Sequence, residues 1–180
     1  MPQRIGEAVV LSAFPMRYTS MQMKNWIGPL FFVFLLGCTA CGPTVIYQKQ
    51  QDIDPAGWAY ADTLQYPFDI ADTSGLYNLF LTLDHRSDFA TQNLYVRVHT
   101  GFPNGQRLSQ RLSLEISDKI GRALGDCQGE LCQLDIPIQA NAYFDQVGPH
   151  YFTLEQFMRT DSLAGIQSVS FRVELAQQER

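Results

Sequence analysis

Proton transfer near neutral pH is usually carried by histidine or by carboxylates that converge on one point. The chain has three histidines, His85, His99 and His150, and none stands in a His-Glu-x-x-His pair. Neither a glycine-rich phosphate loop nor a nucleophile elbow occurs. Asp84-His85-Arg86 with Asp88 is the one dense polar cluster. It follows an expected strand end, where a loop that merely turns the chain has the same look. Carboxylate pairs for glycoside hydrolysis can be drawn from Glu115, Glu130 or Glu155, but any acidic domain offers as many. No catalytic residue, metal site or cofactor is expected.

The cysteines are more informative. Met23-Lys24-Asn25 precedes an apolar run from Trp26 to Leu36. That run is too short to cross a hydrocarbon core of roughly 30 Å as a helix, and it has the length of a signal-peptide apolar region. Leu35-Leu36-Gly37-Cys38 follows, then Thr39-Ala40-Cys41. A lipoprotein signal peptidase needs a small residue just before its cysteine and an apolar one three before, which Gly37 and Leu35 supply for Cys38. Cys41 has Ala40 in the small position but Cys38 in the apolar one. Residues 1–40 are therefore read as a signal peptide. Residues 1–22, with Pro2 and Pro15 and no sustained period, are read as the product of an upstream start assigned in error. Two acyl chains make a stable anchor, since each buried methylene contributes about 0.8 kcal/mol.

Export places the other two cysteines, Cys127 and Cys132, where disulfides persist. A bridge closing the small turn between them is expected. The alternatives are free thiols and metal binding, for which two thiols without a nearby histidine supply only half a tetrahedral zinc site.

These groups need elements to position them. With 180 residues, 46% hydrophobic and 17% charged, the chain supports one ordinary domain. Its formal net charge is −5, and residues 41–180 carry 10 basic against 17 acidic groups. Such a surface repels phosphate backbones, so no nucleic acid partner is expected.

Residues 41–56 are polar, show no clean apolar period, and are read as a linker between the lipid and a domain spanning 57–180. Strand signals begin at Thr63 to Phe68. They continue where Tyr77, Leu79, Leu81 and Leu83 share a face, and where Leu94, Val96 and Val98 alternate with Tyr95, Arg97 and His99. Gly101-Phe102-Pro103-Asn104-Gly105 supplies a turn. Leu112, Leu114 and Ile116 then return as the partner strand. Cys132, Leu134, Ile136 and Ile138 make another face, with Pro137 marking an edge or strand end. Tyr151 to Leu154 and Val169 to Leu175 complete the set, and Gln156 to Thr160 is expected to bend away. Seven to eight short strands without a long amphipathic helix make an all-β antiparallel sandwich.

Trp58, Tyr60, Tyr66, Phe89, Tyr95, Tyr143 and Phe144 exceed what a small sandwich must bury. A flat strip of them would bind sugars or proteins, while the plainer reading puts most of them inside. A carbohydrate-binding lipoprotein is the alternative function on this count.

One ordered series of motifs runs from Cys41 through Gly57-Trp58, Pro67-Phe68, Tyr77-Asn78-Leu79, Asp84-His85-Arg86-Ser87-Asp88-Phe89 and Gln92-Asn93-Leu94-Tyr95-Val96. It continues through Phe102-Pro103-Asn104-Gly105, Gly121-Arg122-Ala123-Leu124-Gly125, Glu155-Gln156-Phe157-Met158-Arg159 and Leu163-Ala164-Gly165-Ile166 to Phe171-Arg172-Val173-Glu174. In order and spacing this resembles the gliding-motility lipoprotein GldH family of Bacteroidetes over residues 41–174. The resemblance puts the acylated cysteine at Cys41, with Cys38 the alternative from local pattern. It marks the Cys127 and Cys132 pair as an addition to the family's pattern.

It implies a lipid-anchored, non-enzymatic accessory subunit of the gliding and type IX secretion machinery, with envelope proteins as partners. Neither cysteine is followed by an aspartate or by an acidic cluster resembling a surface-export signal, which implies the periplasmic face of the outer membrane. Trp58, Arg86, Asn93 and Arg159 fall inside the matching segments and are the candidate binding surface. Whether the three polar ones contact a partner or buttress loops stays open at this point.

Overall fold

The computed structural model describes residues 42–176, and the signal peptide and both candidate lipidation sites lie outside them. Eleven strands follow in chain order: β1 (Thr44–Asp52), β2 (Trp58–Ala59), β3 (Thr63–Ile70), β4 (Tyr77–Arg86), β5 (Asn93–Gly101), β6 (Arg107–Glu115), β7 (Asp126–Gln128), β8 (Leu131–Ala142), β9 (Gly148–Gln156), β10 (Ser162–Leu163) and β11 (Ile166–Leu175). No helix occurs among the described residues. Three strands are only two or three residues long, so eight carry the architecture.

All the pairings are antiparallel. A five-stranded sheet runs β1-β11-β4-β8-β7, a four-stranded sheet runs β3-β9-β5-β6, and β10-β2 forms a short ribbon. The expected all-β sandwich is the architecture found.

Period-two alternation explains the pairing. Tyr77, Leu79, Leu81 and Leu83 of β4 point inward and are buried, while Asn78, Phe80, Thr82 and Asp84 stay half-exposed. The two inner faces meet at Phe171, whose ring stacks on Phe152 with centroids 4.1 Å apart and planes 2° off parallel. Tyr66 and Phe68 each bring a ring within 5.7 Å of the same side chain. The buried Tyr66 hydroxyl donates to the Val169 carbonyl at 2.8 Å, a direct bond from one sheet to the other.

One expectation is corrected. Residues 44–52 of the supposed linker form β1, paired with β11 from Thr44↔Leu175 to Asp52↔Ser168. Its alternation is hidden because an edge strand held by main-chain bonds needs little apolar surface. Tyr47 alone reaches deep, packing its ring 6.0 Å from Phe68 and 6.1 Å from Phe171, while Lys49 and Gln51 fill the next positions along its face. The folded domain thus starts at Thr44 rather than at residue 57.

A second difference lies on β11. Ser170 and Glu174, which alternate with the inward Val169, Phe171 and Val173, are buried where alternation alone would leave them exposed. The strand is flanked on both sides, and its outer face is roofed by Arg172, whose guanidinium lies 4.7 Å over the Phe80 ring.

Gln156 ends β9 and holds the bend that follows, its side-chain oxygen accepting from the Met158 amide and its nitrogen donating to the Thr160 carbonyl. Cys127 and Cys132 are register partners across the β7–β8 hairpin and are joined by a disulfide. The closed loop is small, so Cys127→Ser is expected to cost about 2 kcal/mol of stability under oxidising conditions. Equal urea midpoints for wild type and variant would refute that.

Candidate protein-binding surface

Each polar cluster on the sandwich surface can be sorted by whether it satisfies its own charges. The Asp84–Asp88 segment does. Strand alternation sends Asp84 and His85 to opposite faces. Asp84 accepts from Ser168 and Gln133 on the outer face. His85 is fully buried, with Nδ1 3.0 Å from the Arg86 carbonyl and Nε2 3.2 Å from the Leu124 carbonyl. The two cannot converge on one reacting atom, so this pair has no acid–base geometry.

Arg86 pairs with Asp88 at 2.8 Å and Glu130 at 3.3 Å. The hydrogen bond from Arg86 holds the Asp88 carboxyl below the ordinary carboxylate range. An open cleft of about 550 Å³ next to Arg86, lined also by Asp52, Asp54 and Gly57, contains no unpaired cation.

Trp58 does not belong to a surface. It is fully buried, and its indole N–H donates to the Asp62 carbonyl at 3.0 Å. Gly57 before it adopts φ 111° and lies against the Leu163 backbone where a Cβ would collide, which lets β2 pair with β10. The Gly57-Trp58 motif is therefore a packing device, and Trp58 is withdrawn from the candidate binding residues.

Arg159 lines a groove on the outer face of the four-stranded sheet, and Asn93 reaches one of the groove's residues, Ser113. Asn93 donates to Ser113 at 3.1 Å. Ser113 and Arg159 line a groove of about 740 Å³ with Tyr95, Arg111, Phe157 and Met158. Past the end of β9 the chain stays bound to β5: the Phe157 amide donates to the Tyr95 carbonyl at 2.8 Å, and the Tyr95 amide faces the Met158 sulfur at 3.3 Å.

The groove's electrostatics are unusual. Arg97 and Arg111 are direct register partners on β5 and β6, a like-charge pair that a ladder disfavours. Both lay their guanidinium over one ring, Phe157, at 4.5 and 5.5 Å. Glu155 offsets Arg97 at 3.7 Å and also reaches His99 at 3.5 Å. Arg111 and Arg159 have no carboxylate within ion-pair distance among the described residues.

Tyr95 is half-exposed alongside them. Arg97, Arg111 and Phe157 were not among the sequence candidates. The hairpin loop is three residues long, Pro103 to Gly105, with the Phe102 amide bonded to the Gln106 carbonyl, and this sets Arg97 opposite Arg111; a two-residue Asn104-Gly105 turn would have set it opposite Leu112.

The suspected aromatic strip does not form. Trp58, Tyr66 and Phe144 are buried and Phe89 is half-buried, while the exposed Tyr60, Tyr95 and Tyr143 stand on three different elements.

Comparison with known proteins gives a consistent assignment. The profile of the GldH lipoprotein family matches residues 45–173. A gliding motility lipoprotein GldH homolog of Christiangramia forsetii is 24% identical over 160 residues, covering 84% of this chain and 98% of its own.

Among solved structures, the VP2 subviral particle of infectious bursal disease virus aligns with a TM-score of 0.34 and 11% identity, covering 73% of this chain and 30% of that one. An arabinose-bound α-L-arabinofuranosidase aligns with a TM-score of 0.29 and 14% identity, covering 73% and 22%. Likenesses this weak carry no argument about activity.

The contrast between paired and unpaired arginines is measurable. Arg172 donates to Asp135 at 2.8 Å and to the buried Glu174 at 2.7 Å, so Arg172→Ala is expected to cost about 1–3 kcal/mol by stranding a carboxylate. Arg111→Ala, which strands nothing, should stay within about 0.5 kcal/mol of wild type in urea unfolding. The reverse ranking would refute this reading of the groove.

Proposed function

The chain belongs to the GldH lipoprotein family, and from that membership we propose that it is a non-enzymatic adaptor whose sandwich holds an envelope protein close to a bilayer. The family is one of lipid-anchored gliding-motility proteins. The anchor is assigned to Cys41, with Cys38 as the alternative, on the periplasmic face of the outer membrane. The partner is assigned to the gliding and type IX secretion apparatus. Tethering raises the effective concentration of a partner at the same membrane to the millimolar range for a short linker, so a weak interface suffices.

The observation that carries the interaction reading is the Arg97–Arg111 pair. Residues 41–180 hold 17 acidic against 10 basic groups, so carboxylates are plentiful, yet among the described residues none lies within ion-pair distance of Arg111 or Arg159. A sheet face that keeps like charges in direct register, with a carboxylate on Arg97 but none on Arg111, is suited to an acidic segment of another protein. A sugar platform fits less well. The Phe157 ring face is taken by guanidinium groups, and the exposed tyrosines do not share a plane of approach.

Two experiments test the proposal. Metabolic labelling with a clickable palmitate analogue should mark the wild-type protein and Cys38→Ser but not Cys41→Ser, and absence of label on all three would overturn the anchor. A photo-crosslinking residue in place of Tyr95 should capture an envelope protein from intact membranes. Adding Arg111→Glu and Arg159→Glu should abolish that capture while leaving the unfolding midpoint near wild type. Capture that survives both charge reversals, or recovery of glycans alone, would overturn the groove as the partner site.

A further inference from the structure

The two ends of the sandwich differ in character. Register fixes one end where Thr44, Leu175, Tyr77 and Ala142 meet in adjacent strands of the five-stranded sheet. The four-stranded sheet reaches the same end through Ile70 and Gly148, which are partners, and through the β5–β6 turn after Gly101. Phe144 links the two halves of this end, its ring 5.8 Å from Phe68 and 5.6 Å from Tyr77. The loops 71–76, 102–106 and 143–147 therefore all emerge here. The Asn104 amide donating to Gln146 ties two of them together. At the opposite end lie Asp52, Arg86, Leu131 and the 53–62 and 157–165 loops.

Exposed apolar side chains concentrate at the first end. Of eleven exposed large hydrophobic residues among those described, Val45, Ile46, Leu108, Tyr143, Val147 and Leu175 sit there. Tyr143 is 66% exposed and Val147 59%, both on the 143–147 loop. Tyrosine beside aliphatic side chains is the composition of groups that settle at a bilayer interface. The end also carries the exposed acids Asp69, Asp72 and Asp145 with Arg107, which oppose deep burial and limit contact to the side-chain tips.

Chain length supplies the second argument. Three residue steps separate Cys41 from Thr44, a reach of at most about 11 Å. β1 leaves no slack beyond that, because its pairing with β11 starts at Thr44 itself.

We infer that the domain docks end-on against the bilayer that holds its lipid, with the tip formed by Val45, Ile46, Leu108, Tyr143, Val147 and Leu175 seated in the headgroup region. This rests on the acylation assigned above. It orients the molecule with the strands standing off the membrane. Asn93 and Tyr95, at the end of β5 remote from Gly101, then face the periplasmic space, and with them the arginine groove.

The test uses the full acylated protein in vesicles of phosphatidylethanolamine and phosphatidylglycerol, with and without brominated acyl chains. The mature chain has a single tryptophan, Trp58, buried at the remote end, which gives the baseline. Val147→Trp and, independently, Tyr143→Trp replace exposed residues. Each should show a blue-shifted added emission that brominated lipid quenches, whereas Leu131→Trp at the other end should keep its full intensity.

Mass spectrometry of the same samples reports the acyl group. Acylated protein in which Val147→Trp and Tyr143→Trp go unquenched, or in which Leu131→Trp is quenched equally, would overturn end-on docking and leave the anchor intact. Protein lacking the acyl group in its native membrane would overturn the anchor and with it this inference.

Discussion

Phe171 is the point at which the two sheets are locked together. Its ring lies flat on Phe152 of the opposite sheet, with Tyr66 and Phe68 closing around it, and the Tyr66 hydroxyl bonds to the main chain of β11 two residues away. Stacking fixes the spacing of the sheets, and the hydroxyl fixes how far one slides along the other. Burial pushes the Tyr66 phenol well above its ordinary range, so it stays a neutral donor. A one-residue slip of β11 would exchange Phe171 for Arg172, putting a guanidinium into an aromatic core. The alternation along the other strands is specified relative to this seam.

Once the inner faces are set, the outer faces have no freedom over which side chains they display. On the five-stranded sheet this yields a self-consistent polar surface. Arg172 is clasped by Asp135 and Glu174, and Asp84 by Ser168 and Gln133. On the four-stranded sheet the same geometric rule brings Arg97 and Arg111 face to face. That arrangement costs electrostatic energy, and Phe157 and Glu155 only partly offset it. Local conflicts of this kind are expected where a surface serves something other than stability.

Much of the architecture could be read from residue order because the inward positions of β3, β4, β5 and β11 are almost purely apolar and obey a period of two. The Asn104-Gly105 turn announced its hairpin for the same local reason. What stayed hidden was long-range. β1 carries polar residues at most inward positions, because its partner strand and not its side chains holds it in place. Trp58 looked like a binding aromatic because nothing local reveals that β2 and β10, separated by about a hundred residues, close over it. Of the candidate binding residues, Arg159 lines the groove and Asn93 braces its Ser113, while Arg86 is consumed by Asp88 and Glu130. Which of these occurs depends on partners distant in the chain, and single-residue chemistry does not encode it.

The conversion of the supposed linker into β1 also changes how the molecule takes tension. A flexible leash would let a tug on the fatty acids straighten slack chain before the fold felt it. Here a pull entering at Thr44 runs along a strand whose hydrogen bonds to β11 lie across the line of force, from Thr44 to Asp52. They are stretched together in shear, not peeled one by one. In the proposed role of a lipid-anchored adaptor, a body attached in this way would transmit motion of a partner to the bilayer with little give, as a stiff coupling between the two.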